Sequence, residues 1–98
     1  MAVNVLDDTE RQRFLARLPE GEGELMYKQI GSHTLELIHT EVAPALRGRG
    51  VAEALVETAF ALARKDGMHI VPTCPYVQRW LTKHPEQADL VVSRADAD

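Results

Sequence analysis

The stretch LRGRGVAEAL, Leu46 to Leu55, runs two glycines interleaved with two arginines straight into helix-forming sequence. The rest of the chain takes its place from this junction. Amide groups in the first turn of a helix have no intrahelical acceptor and point outward with the positive end of the helix dipole. Gly48 and Gly50 permit unusual dihedrals and close approach, while Arg47 and Arg49 can add charge-assisted bonds, so the junction reads as an anion site. Taken alone, the same residues also fit a flexible turn with two solvated arginines. Two familiar phosphate loops are excluded. Val51-Ala52 follows where a P-loop needs Lys-Ser or Lys-Thr, and the third glycine and acidic strand end of a dinucleotide fingerprint are missing.

On the C-terminal side, Val51, Leu55, Ala59, Leu62 and Ala63 recur at three and four, which marks one face of a helix. Lys65-Asp66-Gly67 supplies a basic last turn and a glycine cap. Met68 to Thr73 reads as a strand, and Pro75 opens a second helix, Tyr76 to His84, stopped by Pro85. A short turn or helix, Glu86 to Leu90, leads to a polar tail from Ser93 that is expected to fray.

On the N-terminal side the period changes. Leu25 to Ile30 and Thr34 to Val42 are short and rich in Leu, Ile, Thr and Tyr, with Gly31-Ser32 as a tight connection. Arg11 to Leu18 fits strand or helix by pattern, and Pro19 to Gly23 ends it with turn chemistry. The expectation is an antiparallel meander of three strands, four if Val3 to Leu6 pairs. Thr34–Val42, the helix and Met68–Thr73 then form a crossover with parallel strands. The fold class is α+β: an antiparallel N-terminal meander, a βαβ unit and a C-terminal helix, in one domain spanning 1–98.

Ninety-eight residues suffice for one core. A net charge of -4 argues against a broad nucleic-acid-binding face. The single cysteine, Cys74, forms no internal disulfide and no Cys-rich metal site, and no metal-ligand spacing stands out. No apolar run approaches the roughly 18 residues that a membrane span needs, and the N-terminus lacks signal-peptide character. A cytoplasmic protein without membrane or nucleic-acid partners is expected.

At Arg47-Gly48-Arg49-Gly50-Val51-Ala52 the chain resembles the Gln/Arg-x-x-Gly-x-Gly/Ala signature of the GNAT superfamily of acetyl-CoA-dependent acyltransferases. The flanking blocks HTEVAPALRGRGVAEALV (His39 to Val56) and PTCPYVQRWLTKHPEQADLV (Pro72 to Val91) look like those of its compact, single-domain members. The chain departs from that pattern at Ala43, where proline is usual, and at Gln87, where an aromatic is usual.

The resemblance implies a GNAT-like mixed sheet and acetyl-CoA as substrate. The backbone of Thr40 and Val42 would pair with the pantetheine arm. Arg47, Gly48, Arg49, Gly50, Val51 and Ala52 would hold the pyrophosphate. His39, Glu41 and Cys74 are expected to converge on the thioester. His39 or Glu41 would take a proton from an amine, or Cys74 would carry the acetyl group covalently. By themselves Cys74 also fits a small buried hydrophobe, His39 a core histidine and Glu41 a strand-edge carboxylate. Glu36, on the alternate face from His39, ranks below them as a base. Tyr76 is expected to pack rather than act as an acid, and Arg79 and Lys83 to be solvated helix charges. The implied function is transfer of acetyl to an amine of a small molecule or a protein lysine, by a monomer or weak dimer. The alternatives are a non-catalytic coenzyme A-binding module or an interaction domain.

Overall fold

A computed structural model of the chain describes residues 3–97. Five strands lie in sequence order across one sheet: β1 (Val5–Asp8), β2 (Arg13–Leu18), β3 (Gly21–Ile30), β4 (Thr34–Val42) and β5 (His69–Pro72). Neighbours are antiparallel except β4 and β5, which run parallel with helix α1 (Val51–Asp66) between them in the chain. The meander therefore has four strands, and Arg13–Leu18 is strand. β3 begins earlier than the turn chemistry suggests, because Gly21 to Gly23 join the ladder opposite Leu18 to Ala16. The physical reason is close packing: a β-carbon on Gly23 would lie 2.7 Å from Val51 Cγ1, so bare backbone lets α1 settle onto the sheet.

Side chains alternate across the sheet, and the pairing assigns each to a face. Phe14, Ala16, Leu25, Tyr27, Leu35 and Leu37 face the helices and are buried there. Arg13, Leu15, Glu24, Met26, Lys28 and Glu36 face the other way. One irregularity resets the alternation: His39 pairs with Met26 but Leu37 pairs with Tyr27, so Ile38 is an extra residue in β4. The bulge corrects the expected placement of Glu36. An odd separation would put Glu36 and His39 on opposite faces; with the inserted residue both stand on the outer face.

Both helices pack on the inner face. α1 buries Val51, Leu55, Val56, Ala59, Phe60 and Ala63, and α2 (Pro75–Lys83) buries Val77 and Trp80 in the same cluster. Trp80 stacks on His84, at 4.2 Å between ring centres, and meets Phe60 at a tilt, at 4.9 Å. Gly67 closes α1 in the left-handed conformation, as its sequence position predicts. The segment Pro85–Leu90 is a 3-10 helix, and Arg64 of α1 donates to Gln87 and Asp89 within it. An aromatic at position 87 would lose that bond.

The tail differs from expectation. Val91 forms a bridge with Ile70 on the free side of β5, and Val92 N–H donates to Ile70 O at 2.9 Å. Ser93 caps a further 3-10 turn, Arg94–Asp96, and Arg94 makes an ion pair with the buried carboxylate of Glu36. Thr73 Oγ donates to the same carboxylate at 2.5 Å. A buried charge needs such partners, so the tail is held by Glu36 rather than frayed.

Candidate active site

The β4 and β5 ladder spans only Thr34–Leu37 against His69–Pro72. Cys74 N–H still donates to Leu37 O at 2.8 Å, and then the chain turns away into α2. Beyond Ile38, β4 keeps β3 on one side and, among the described residues, has no strand on the other. Ala43 N–H donates to Glu22 O of β3, so the alternating peptide groups of Thr40 and Val42 turn toward the free edge. A cleft of about 380 Å³ occupies this gap, bordered by His39, Thr40, Glu41, Val42, Tyr76 and Arg79.

The glycine-arginine turn closes one end of the gap. Pro44–Leu46 forms a short 3-10 turn, and Gly48 and Gly50 follow with φ of +78° and +79°. A β-carbon at either would meet nothing within 4 Å, so glycine serves the left-handed backbone, and the turn stays open to solvent. Gly50 is the N-cap of α1 and offers no side-chain acceptor; Ala54 N–H is the first to bond within the helix, to Gly50 O. The amides of Val51, Ala52 and Glu53 therefore lack helical partners, as an anion site requires.

The two arginines divide. Arg49 is drawn to Glu20 at 3.2 Å and borders the outer side of α1, whereas Arg47 borders both the turn and the β4 cleft and has no ion pair among the described residues. Glu53, in the first turn, is an opposing charge beside the same amides. The bare-backbone turn, the free strand edge and Arg47 together fit an elongated phosphate ester with a peptide-like arm. No group of His, Cys, Asp and Glu suited to a metal occurs among the described residues.

The expected convergence of three side chains is corrected. Thr40 pairs with Leu25 on the inner face, and His39 and Glu41 pair with Met26 and Glu24 on the outer face. Cys74 belongs to the inner core, only 2% exposed, with its Sγ 3.3 Å from Thr40 Oγ. Strand alternation thus puts the histidine and the carboxylate on one side of β4 and the thiol on the other. His39 and Glu41 are exposed at the cleft, and the thiol lies beneath Thr40. Glu36 is held by Thr73 and Arg94, which both bond its Oε2 and keep its carboxyl below the usual range.

Two side chains gain prominence. Tyr76, in the first turn of α2, borders the glycine turn and the β4 cleft alike. Burial, with a smaller contribution from Glu53, raises its pKa and keeps the phenol a donor. Arg79 lies 5.8 Å over the Tyr76 ring and borders the same cleft, so it is not a purely solvated charge. The signal was the spacing of three along a helix that starts immediately after Cys74.

Residues 13–90 match the family described as GCN5-related N-acetyl-transferase. Protein NATD1 of Xenopus tropicalis is 33% identical over 86% of this chain and 79% of its own length, and Protein NATD1 of Homo sapiens is 32% identical over 85% and 75%. The solution structure of a GCN5-like protein from Staphylococcus aureus superposes with a TM-score of 0.70, at 20% identity, over 92% of this chain and 88% of that one. The bare-backbone turn between β4 and α1, the parted strands and these likenesses lead to one conclusion: the chain belongs to the GCN5-related N-acetyltransferase family.

Proposed function

We propose that the protein is an acetyl-CoA-dependent N-acetyltransferase that delivers the acetyl group directly to an amine. The observation that carries this reading is the free edge of β4 from Thr40 to Val42, which meets the uncapped start of α1 across the Gly48 and Gly50 turn. The coenzyme supplies an acetyl thioester. Arg47 and the amides of Gly48, Gly50, Val51 and Ala52 bind its pyrophosphate, and the backbone of Thr40 and Val42 pairs with its arm as an added strand. A backbone amide near Val42 serves as the donor to the carbonyl oxygen.

Proton movement follows from the faces. His39 and Glu41, exposed on the outer side of β4, take the proton of the acceptor amine directly or through water. Tyr76, kept protonated by burial, donates toward the leaving sulfur. The burial of Cys74 beneath Thr40 favours direct transfer over a covalent acetyl-cysteine. Incubation with acetyl-CoA and a panel of primary amines tests this. Cys74→Ala retains turnover, and mass spectrometry finds no acetyl adduct on the wild type. His39→Ala with Glu41→Gln slows turnover by about a hundredfold or more. An acetyl-cysteine that forms and decays at the turnover rate would overturn direct transfer. Coenzyme binding without turnover of any amine would reduce the protein to a binding module.

A further inference from the structure

Helices α1 and α2 both lie on the inner face, and the outer face is met by the tail at Glu36, through Arg94. The apolar side chains of the outer face include Leu6, 60% exposed, Met26 at 40% and Ile38 at 39%, which are the large exposed hydrophobics of the described residues. The pairing spaces them across the face: Leu6 stands beside the buried Leu15, Met26 lies beside Arg13, His39 and the Ile38 bulge, and the Arg13–Glu24 ion pair crosses between the two groups. From β4 to β1 these exposed positions, an apolar stripe divided by the ion pair, span three strand spacings, about 14 Å, the length of four to five extended residues. At the end of β4 it adjoins a cleft of about 610 Å³ bordered by Glu22, Glu24, Glu41, Arg13 and Arg47. That cleft shares Glu41, Val42 and Arg47 with the gap beside β4, so the outer face leads to the reaction site.

The charges in the cleft are unevenly compensated. Glu22 is paired with Arg17 at 2.9 Å and Glu24 with Arg13 at 3.1 Å. Glu41 has no ion-pair partner among the described residues. Arg47 also lacks one, but it borders the glycine turn, where phosphate would meet its charge. A cation complements Glu41.

We infer that this face docks an extended polypeptide segment whose lysine reaches through the cleft past Glu41 to the free edge of β4. The inference rests on the acetyl-transfer reading for its chemistry and on the outer face for its geometry. A small diamine would satisfy Glu41 and leave the apolar stripe untouched. A segment with a central lysine and apolar residues at alternate positions satisfies both, because alternate residues of an extended chain share one face. In the transfer, the ammonium gives one proton to the His39 and Glu41 pair, and its nitrogen bonds to the acetyl carbonyl carbon. The carbon–sulfur bond then breaks, and the sulfur takes up a proton, so that ammonium and thioester become amide, thiol and one released proton.

The probe is an end-capped heptapeptide with a central lysine and leucine at the alternate positions. It is titrated into nitrogen-15-labelled protein saturated with coenzyme A, with propane-1,3-diamine as the comparison. Shift changes are expected to centre on Met26, Ile38 and Glu41. Leu6→Ser combined with Met26→Ser weakens peptide binding about tenfold, equivalent to about 1.4 kcal/mol, and leaves coenzyme affinity and diamine turnover unchanged. If the double variant unfolds, Leu6→Ser alone, at the most exposed position, is expected to weaken binding as well. A peptide that causes no shifts on this face, or that binds the serine variants as tightly as wild type, overturns the docking. So does a kcat/KM higher for the diamine than for the peptide. Peptide shifts without acetylation would uphold the docking and count against acetyl transfer, which separates the two claims.

Discussion

Glycine does two different jobs here, and single substitutions separate them. At Gly50 space is free and the dihedral is left-handed, so Gly50→Ala is expected to cost about 1–2 kcal/mol of stability through backbone strain. At Gly23 the dihedral is ordinary and the space is taken by Val51, so Gly23→Ala acts by overpacking, about 1–3 kcal/mol. Denaturant unfolding measures both. Coenzyme titration then distinguishes them, since only the Gly50 change alters the anion turn. The arginines differ likewise. Arg47→Ala is expected to weaken coenzyme A binding about tenfold, and Arg49→Ala by clearly less, because Glu20 already holds Arg49. Equal losses on calorimetric titration would show that the ion pair with Glu20 does not hold Arg49 back.

Strand β4 sets the layout of the site. Its bulge at Ile38 turns His39 and Glu41 outward, and its unpaired end faces α2. Its first half is fixed by the buried Glu36, held by Thr73 and by Arg94 from the tail. These partners lower the folded-state pKa of Glu36 below its ordinary value of 4.5. The unfolded chain therefore binds the proton more readily, and the stabilisation is present above that value and lost as pH falls through the folded pKa. Thermal melts of wild type and Glu36→Gln should differ at neutral pH and converge in acid. Arg94→Ala leaves a buried carboxylate with one partner fewer and is expected to cost about 1–3 kcal/mol. A melting temperature unmoved by Arg94→Ala would show that the tail is not held by this pair.

Across the whole molecule one inner core joins the sheet, α1 and α2, with a radius of gyration of 12.8 Å that matches a single compact domain of this length. Trp80 is the one tryptophan and sits between Phe60 and His84, so its fluorescence reports on the α1 and α2 contact. Its unfolding transition and the far-ultraviolet circular dichroism transition are expected to coincide. Leu55→Ala, at a fully buried position in that core, should lower both together by about 2–5 kcal/mol. What the sequence determined by itself is what local physics controls. Apolar residues at three and four make α1, Gly67 ends it, and glycines before Val51 leave its first amides bare. The order of strands and the α+β class follow from those local signals and the need to return a parallel strand beside β4. The tertiary structure decided what depends on pairing between distant segments. A one-residue bulge against β3 reversed the face of His39 relative to Glu36, burial under Thr40 withdrew Cys74, and Glu20 rather than the turn itself chose which arginine stays free. The reason is that a side chain's period of two or 3.6 is written along the chain, whereas strand register and charge partners are fixed only when hydrogen bonds close between residues far apart in it.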